Sequence, residues 1–128
     1  MNLEGRKVLV NKSSSELVAM LNAPKDYEQL MPEGLQKFET TENGFKFALK
    51  GMPEIALKID EATAERVVLK SGNPNLDFAL IGKMNSINDN QTEVQLLFEG
   101  KFNAFIKMMV EKPLQNFINT LTDKIEQL

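Results

Sequence analysis

Cysteine, histidine and tryptophan are absent from the 128 residues, and tyrosine occurs once, at Tyr27. Without cysteine there are no disulfides, no thiolate nucleophile and no cysteine-based zinc site. Without histidine the commonest general base, metal ligand and neutral-pH switch are missing, so Ser-His-Asp and Cys-His chemistry is excluded. Catalysis would fall to Asp, Glu, Lys or Tyr27. No run of basic residues exceeds the pair Arg6-Lys7, and the net charge is −3 with a pI near 5.1. Nucleic acid and anionic membrane surfaces demand a basic field, so neither is an expected partner. The sequence shows no N-terminal apolar signal segment and no apolar run near ~18 residues, which predicts a cytoplasmic protein without stable membrane insertion. Paired carboxylates, a metal-ligand set and a phosphate-binding loop are also missing, and no cofactor is expected.

What is present is ordinary for a globular chain: 42% hydrophobic and 26% charged residues. The length suits one domain spanning 1–128 with its own core. Its most informative stretch is the last, from Asn103 to Leu128. Phe105, Ile106, Met109, Val110, Leu114, Phe117, Ile118, Leu121 and Ile125 recur at three- and four-residue steps, the period of an apolar helix face. Such a helix needs a cover. The apolar direction of Phe105 to Val110 differs by about 100° from that of Leu114 to Ile125, at 100° per residue. Pro113 lies at the change, so a kink or bulge is expected near Lys112-Pro113.

The remaining chain supplies the cover. Leu3 to Val10 reads as a strand with imperfect alternation. Ser13-Ser14-Ser15-Glu16 fits a capping box ahead of a helix through Leu21, and Pro24 opens a second short helix to Met31. Six further strands follow, centred on Phe38, Phe47, Leu57, Val67, Leu80 and Leu96, each with apolar and polar residues alternating. Asn43-Gly44 signals a hairpin, because both residues tolerate positive φ. Gly51-Met52-Pro53 and Gly72-Asn73-Pro74 mark further turns. Gly82 interrupts the inward face of its strand, as at a bulge, a bend or a close approach.

Strand, two short helices, a six-stranded antiparallel meander and one long C-terminal helix form an α+β order. That order, with Ser13-Ser14-Ser15-Glu16-Leu17 entering a helix and Phe98-Glu99-Gly100 leading into the last one, resembles the START-like (SRPBCC) superfamily. This superfamily includes birch-pollen-allergen relatives and polyketide cyclase/dehydrase-like proteins. The resemblance implies a helix-grip fold, with a hydrophobic cavity between the C-terminal helix and a curved sheet. It also implies binding or transport of a lipid, quinone or polyketide-like molecule. The cavity walls would be Phe45, Phe47, Leu57, Phe78, Leu80, Leu96 and Phe98 from the sheet, with Ile106, Met109, Val110 and Phe117 from the helix. The same large side chains could instead fill the space as core. Candidate polar anchors are Tyr27, Gln36 and Asn119.

Two alternatives stay open. Ala48, Ala56, Ala79, Ile81 and Leu97 fall on the outward sheet face, where a patch could serve a protein-interaction or co-chaperone-like module, or a weak homodimer of an otherwise monomeric protein. A cyclase or hydrolase would need charge in the cavity. Yet Asp60, Asp77, Glu93, Glu99, Lys46 and Lys58 count as outward, subject to strand register.

Overall fold

The computed structural model of the chain describes residues 1–50, 54–74 and 76–128. Among these, β1 (Asn2–Glu4) and β2 (Val8–Val10) precede α1 (Ser14–Leu21) and a 3₁₀-helix (Pro24–Leu30). Then come β3 (Leu35–Thr40), β4 (Gly44–Leu49), β5 (Ile55–Ala62), β6 (Arg66–Ser71), β7 (Asp77–Asn88), β8 (Gln91–Lys101) and α2 (Ala104–Glu126). The eight strands form one antiparallel sheet in the order β1-β8-β7-β6-β5-β4-β3, with β2 also on β8. The expected turn at Gly51-Met52-Pro53 lies outside the described residues.

The first strand is two strands, and the break explains its imperfect pattern. Glu4 faces Leu97 and Val8 faces Val94, so this strand carries one residue more than β8 over the same span. An extra residue switches the inward parity. Leu3 is buried before it, and Val8 and Val10 after it. Gly5 sits at the switch, its N–H donating to the Leu96 carbonyl at 2.8 Å. A Cβ there would lie 3.0 Å from Thr122 Oγ1 and 3.1 Å from Ile118 Cγ2, so the bare backbone admits α2.

Local chemistry sets the helix ends. Ser13 Oγ accepts from the Glu16 N–H and donates to the Glu16 carboxylate, both at 3.2 Å. Asn103 Oδ1 accepts from the Ile106 N–H at 2.9 Å and opens α2. Gly34, at φ +90°, is the only described residue with positive φ. The Asn43-Gly44 turn therefore does not use it. Gly44 is required for a different reason: a Cβ there would stand 1.9 Å from the Leu57 carbonyl oxygen of β5.

Helix α2 runs unbroken from Ala104 to Glu126 with Pro113 inside it. What changes at Pro113 is burial. Leu114, Phe117, Ile118, Leu121, Thr122 and Ile125 are buried on the sheet. Ahead of the proline, Phe105, Met108 and Met109 are 72%, 83% and 61% exposed, and Ile106 and Val110 are half-buried. The first half does not close onto a second part of the sheet; the roughly 100° offset in apolar direction leaves much of its apolar arc in solvent. On the other sheet face Val68, Ile81 and Leu97 form one cross-strand row. Val68 is buried there, and Ile81, Leu97, Ala48, Ala56 and Ala79 are half-buried. The flanking Arg66 and Lys70 ion pairs with Glu61 and Asp60 border this row, which leaves less exposed apolar surface than the alternation suggests.

Candidate ligand cavity

Where the first half of α2 stands off the sheet, the structure leaves a cavity of about 280 Å3. Phe47, Leu57, Phe78, Leu80 and Phe98 form its sheet wall, and Ile106, Met109, Val110 and Phe117 its helix wall. These nine were predicted from alternation and helical period. Phe45 and Leu96 were predicted with them but line a separate inner void of about 40 Å3, toward the short helices. Both residues point inward; their rows lie further along the sheet, beyond Phe117. Sequence reasoning missed Ile55, Leu76, Phe102, Pro113 and Leu114. Ile55 and Leu76 share the parity of Leu57 and Phe78, so the signal was available. Phe102 follows the end of β8, where alternation has stopped, and it packs against Phe98 and Phe78 with ring centroids 6.1 and 6.3 Å apart.

The aromatic walls form two groups. Phe78 stacks on Phe98 at 5.5 Å. Tyr27 stacks on Phe45 at 4.7 Å, Phe45 tilts against Phe47 at 5.9 Å, and Phe47 stacks on Phe117 at 5.2 Å. The second group runs from the inner void to the outer cavity and joins sheet to helix.

Tyr27 is buried, and its hydroxyl donates to the Leu21 carbonyl at 2.6 Å. It thereby satisfies one of the last carbonyls of α1, which helical bonding leaves open. Burial pushes its phenol well above the ordinary value, so it stays neutral. Its ring faces the inner void and not the outer cavity. Gln36 is exposed at the β3 irregularity. Asn119 is exposed on α2 and accepts from Gln115. Neither borders a cavity, because a bulge displaces the first and the solvent side of the helix carries the second.

Glu54, not anticipated, is the one charged residue among the described residues on the outer cavity's wall. It sits at the rim, half-exposed, 2.9 Å from Lys37 Nζ. The hydrogen bond from Lys37, then its charge, lowers the Glu54 pKa, and the same contact raises that of Lys37. Asp77, counted as outward, and Lys83 are both exposed and line no part of either chamber. Among the described residues no three or more carboxylates gather as a metal site would require, and no helix is long and apolar enough to cross a membrane.

No protein-family model and no curated protein matches the sequence. Solved structures do match. The KanY protein aligns at TM-score 0.76 and 9% identity, covering 99% of this chain and 95% of that one. A START superfamily protein from Mycobacterium smegmatis aligns at TM-score 0.65 and 10% identity, covering 98% and 97%. Norcoclaurine synthase from Thalictrum flavum, in complex with dopamine and hydroxybenzaldehyde, aligns at TM-score 0.68 and 13% identity, covering 99% and 84%. At such identities the likeness speaks to backbone architecture: an antiparallel sheet gripping a long C-terminal helix, the START-like (SRPBCC) fold.

Proposed function

We propose that the protein binds a small hydrophobic molecule in the cavity between the sheet and the first half of α2, and carries it as a cytoplasmic monomer or weak homodimer. The observation that supports this reading is the cavity itself, about 280 Å3, with Glu54 the single charged residue among the described residues that line it. A filled core would leave no such volume, since interiors pack to crystal density. The size is near the low end for small-molecule sites, roughly 300 Å3 and upward. It suits one ring system or a short aliphatic chain of a lipid, quinone or polyketide-like compound.

Magnitudes bound the affinity. Burying about ten methylenes contributes roughly 8 kcal/mol gross, against association costs of about 4–15 kcal/mol. With no buried polar anchor among the described residues of the outer cavity, binding is micromolar or weaker and low in selectivity. Native mass spectrometry of gently purified protein should retain a hydrophobic adduct. Anilinonaphthalene sulfonate should fluoresce with the folded wild type, and Phe78→Ala and Met109→Ala should change that uptake. A folded wild type that takes up no dye or acyl ligand refutes the reading.

A second reading has its own observation: Phe105, Met108 and Met109 are large apolar side chains held in solvent on one stretch of helix, a pattern that also marks protein contacts. Size-exclusion chromatography with light scattering separates the cases. A concentration-dependent dimer that Met108→Glu abolishes favours the interaction module.

A further inference from the structure

We infer that the inner void is a second compartment of the same ligand site, and that the site takes a linear aliphatic chain whose end passes Phe117 and stops over Gly82. The inference rests on the outer cavity being a ligand site. Leu57, Leu80 and Phe117 line both the outer cavity and the inner void, so the two chambers share a wall. Phe117 is the partition, held by its stack on Phe47.

Gly82 explains why the inner chamber is open. On β7 the inward positions run Leu80, Gly82, Met84, and the alternation calls for a side chain at 82. No turn demands glycine there, and its φ is not positive. Nor does a close approach: an added Cβ would meet only Leu96 Cδ2 at 3.5 Å and the Val67 carbonyl at 4.0 Å, ordinary contacts. A side chain would fit, and it would occupy the void. The void holds about 40 Å3, a small fraction of the outer cavity's 280 Å3. Its walls are almost wholly apolar, and the Tyr27 hydroxyl is engaged with Leu21. A chamber of that size excludes a ring and accepts a chain end. The polar end of such a chain would remain at the rim, beside Glu54 and Lys37.

The test is displacement of anilinonaphthalene sulfonate by n-alkanols of increasing length, with folding checked by circular dichroism. Wild-type affinity should rise about fourfold per methylene until the chain end fills the inner void, then level off. Gly82→Val should bring the plateau to a shorter chain, so that the loss grows with chain length. Gly82→Ala, whose Cβ meets only ordinary contacts, should shift it the same way by less. Phe117→Leu, which thins the partition, should move it to a longer chain. An unchanged plateau in both Gly82 variants, or a loss equal at all lengths, overturns the second compartment. Failure of every alkanol to displace dye from wild type overturns the ligand-site reading beneath it.

Discussion

Gly44 opens β4 opposite Lys58 of β5, and replacing it tests why a glycine is there. An alanine Cβ would stand 1.9 Å from Leu57 O and 2.9 Å from Leu57 C and Lys58 Cα, all backbone atoms that cannot rotate away. Reaching the 3.0 Å that real Cβ atoms respect requires the strands to part by about 1 Å. Beside it the Ile59 N–H donates to the Asn43 carbonyl at 2.8 Å, and a shift of that size breaks this bond and its ladder neighbour. Two bonds at about 0.5–1.5 kcal/mol each, with loosened packing of the buried Phe45 and Leu57, give about 2–4 kcal/mol for Gly44→Ala. That is a large share of a typical 5–15 kcal/mol. With a urea slope of about 1–3 kcal/mol/M, the midpoint should fall by about 1–2 M. The discriminating variant is Gly44→Asn. Asparagine accepts positive φ readily but carries the same Cβ, so it should cost as much as alanine. If Gly44→Asn stays within about 0.5 kcal/mol of wild type, the close-approach reasoning is refuted and the turn explanation returns.

Other outcomes can be checked with the same curves. Gly82→Ala should stabilise by about 1 kcal/mol, mainly from the lower chain entropy of alanine, with partial filling of the inner void adding to it; destabilisation would show strain at that site. Tyr27→Phe should cost about 1–3 kcal/mol by stranding the Leu21 carbonyl. Because the folded phenol pKa lies above the ordinary 10.0, its contribution is fully present below pH 10 and is lost as the pH rises through the folded value. Wild type should weaken on the alkaline side more than Tyr27→Phe. Tyr27 is the only tyrosine, so phenolate absorbance reads it alone; ionisation at the ordinary value in folded protein would refute the burial argument. Asn103→Ala should remove about 1 kcal/mol of capping and speed amide exchange at Ile106, whose N–H the cap holds; unchanged exchange would count against the cap.

Period and alternation made most of the architecture legible. Strands β3 to β8, the Ser13 cap and the buried half of α2 follow from where apolar residues recur. The failures share a cause: position along an element is readable, while what stands opposite is not. The Asn43-Gly44 pair looks identical whether glycine serves φ or a neighbouring backbone. One extra residue at the Gly5 switch put Leu3 and Val8 on the same face against simple counting. Gln36 fell on a β3 irregularity, and Asn119 on the solvent side of its helix. Phe45 and Leu96 were read as inward, but which of the two chambers an inward residue lines depends on helix placement, which no periodicity encodes. Glu54 reached the cavity rim from just ahead of β5, where no pattern assigns a face.

Among the described residues, the side-chain hydrogen bonds and ion pairs from α2 to the body lie beyond Pro113: Gln115 to the Glu4 carbonyl, and Asp123 and Glu126 to Arg6. Within the described residues, the nine ahead of the proline have their own cap and two half-buried side chains. Opening energies across one molecule range from near zero to the global value. Under the proposed reading, the wall that would admit a guest would open at a small fraction of the unfolding free energy, so selection on what enters and selection on thermal endurance would act on separate halves of a single rod.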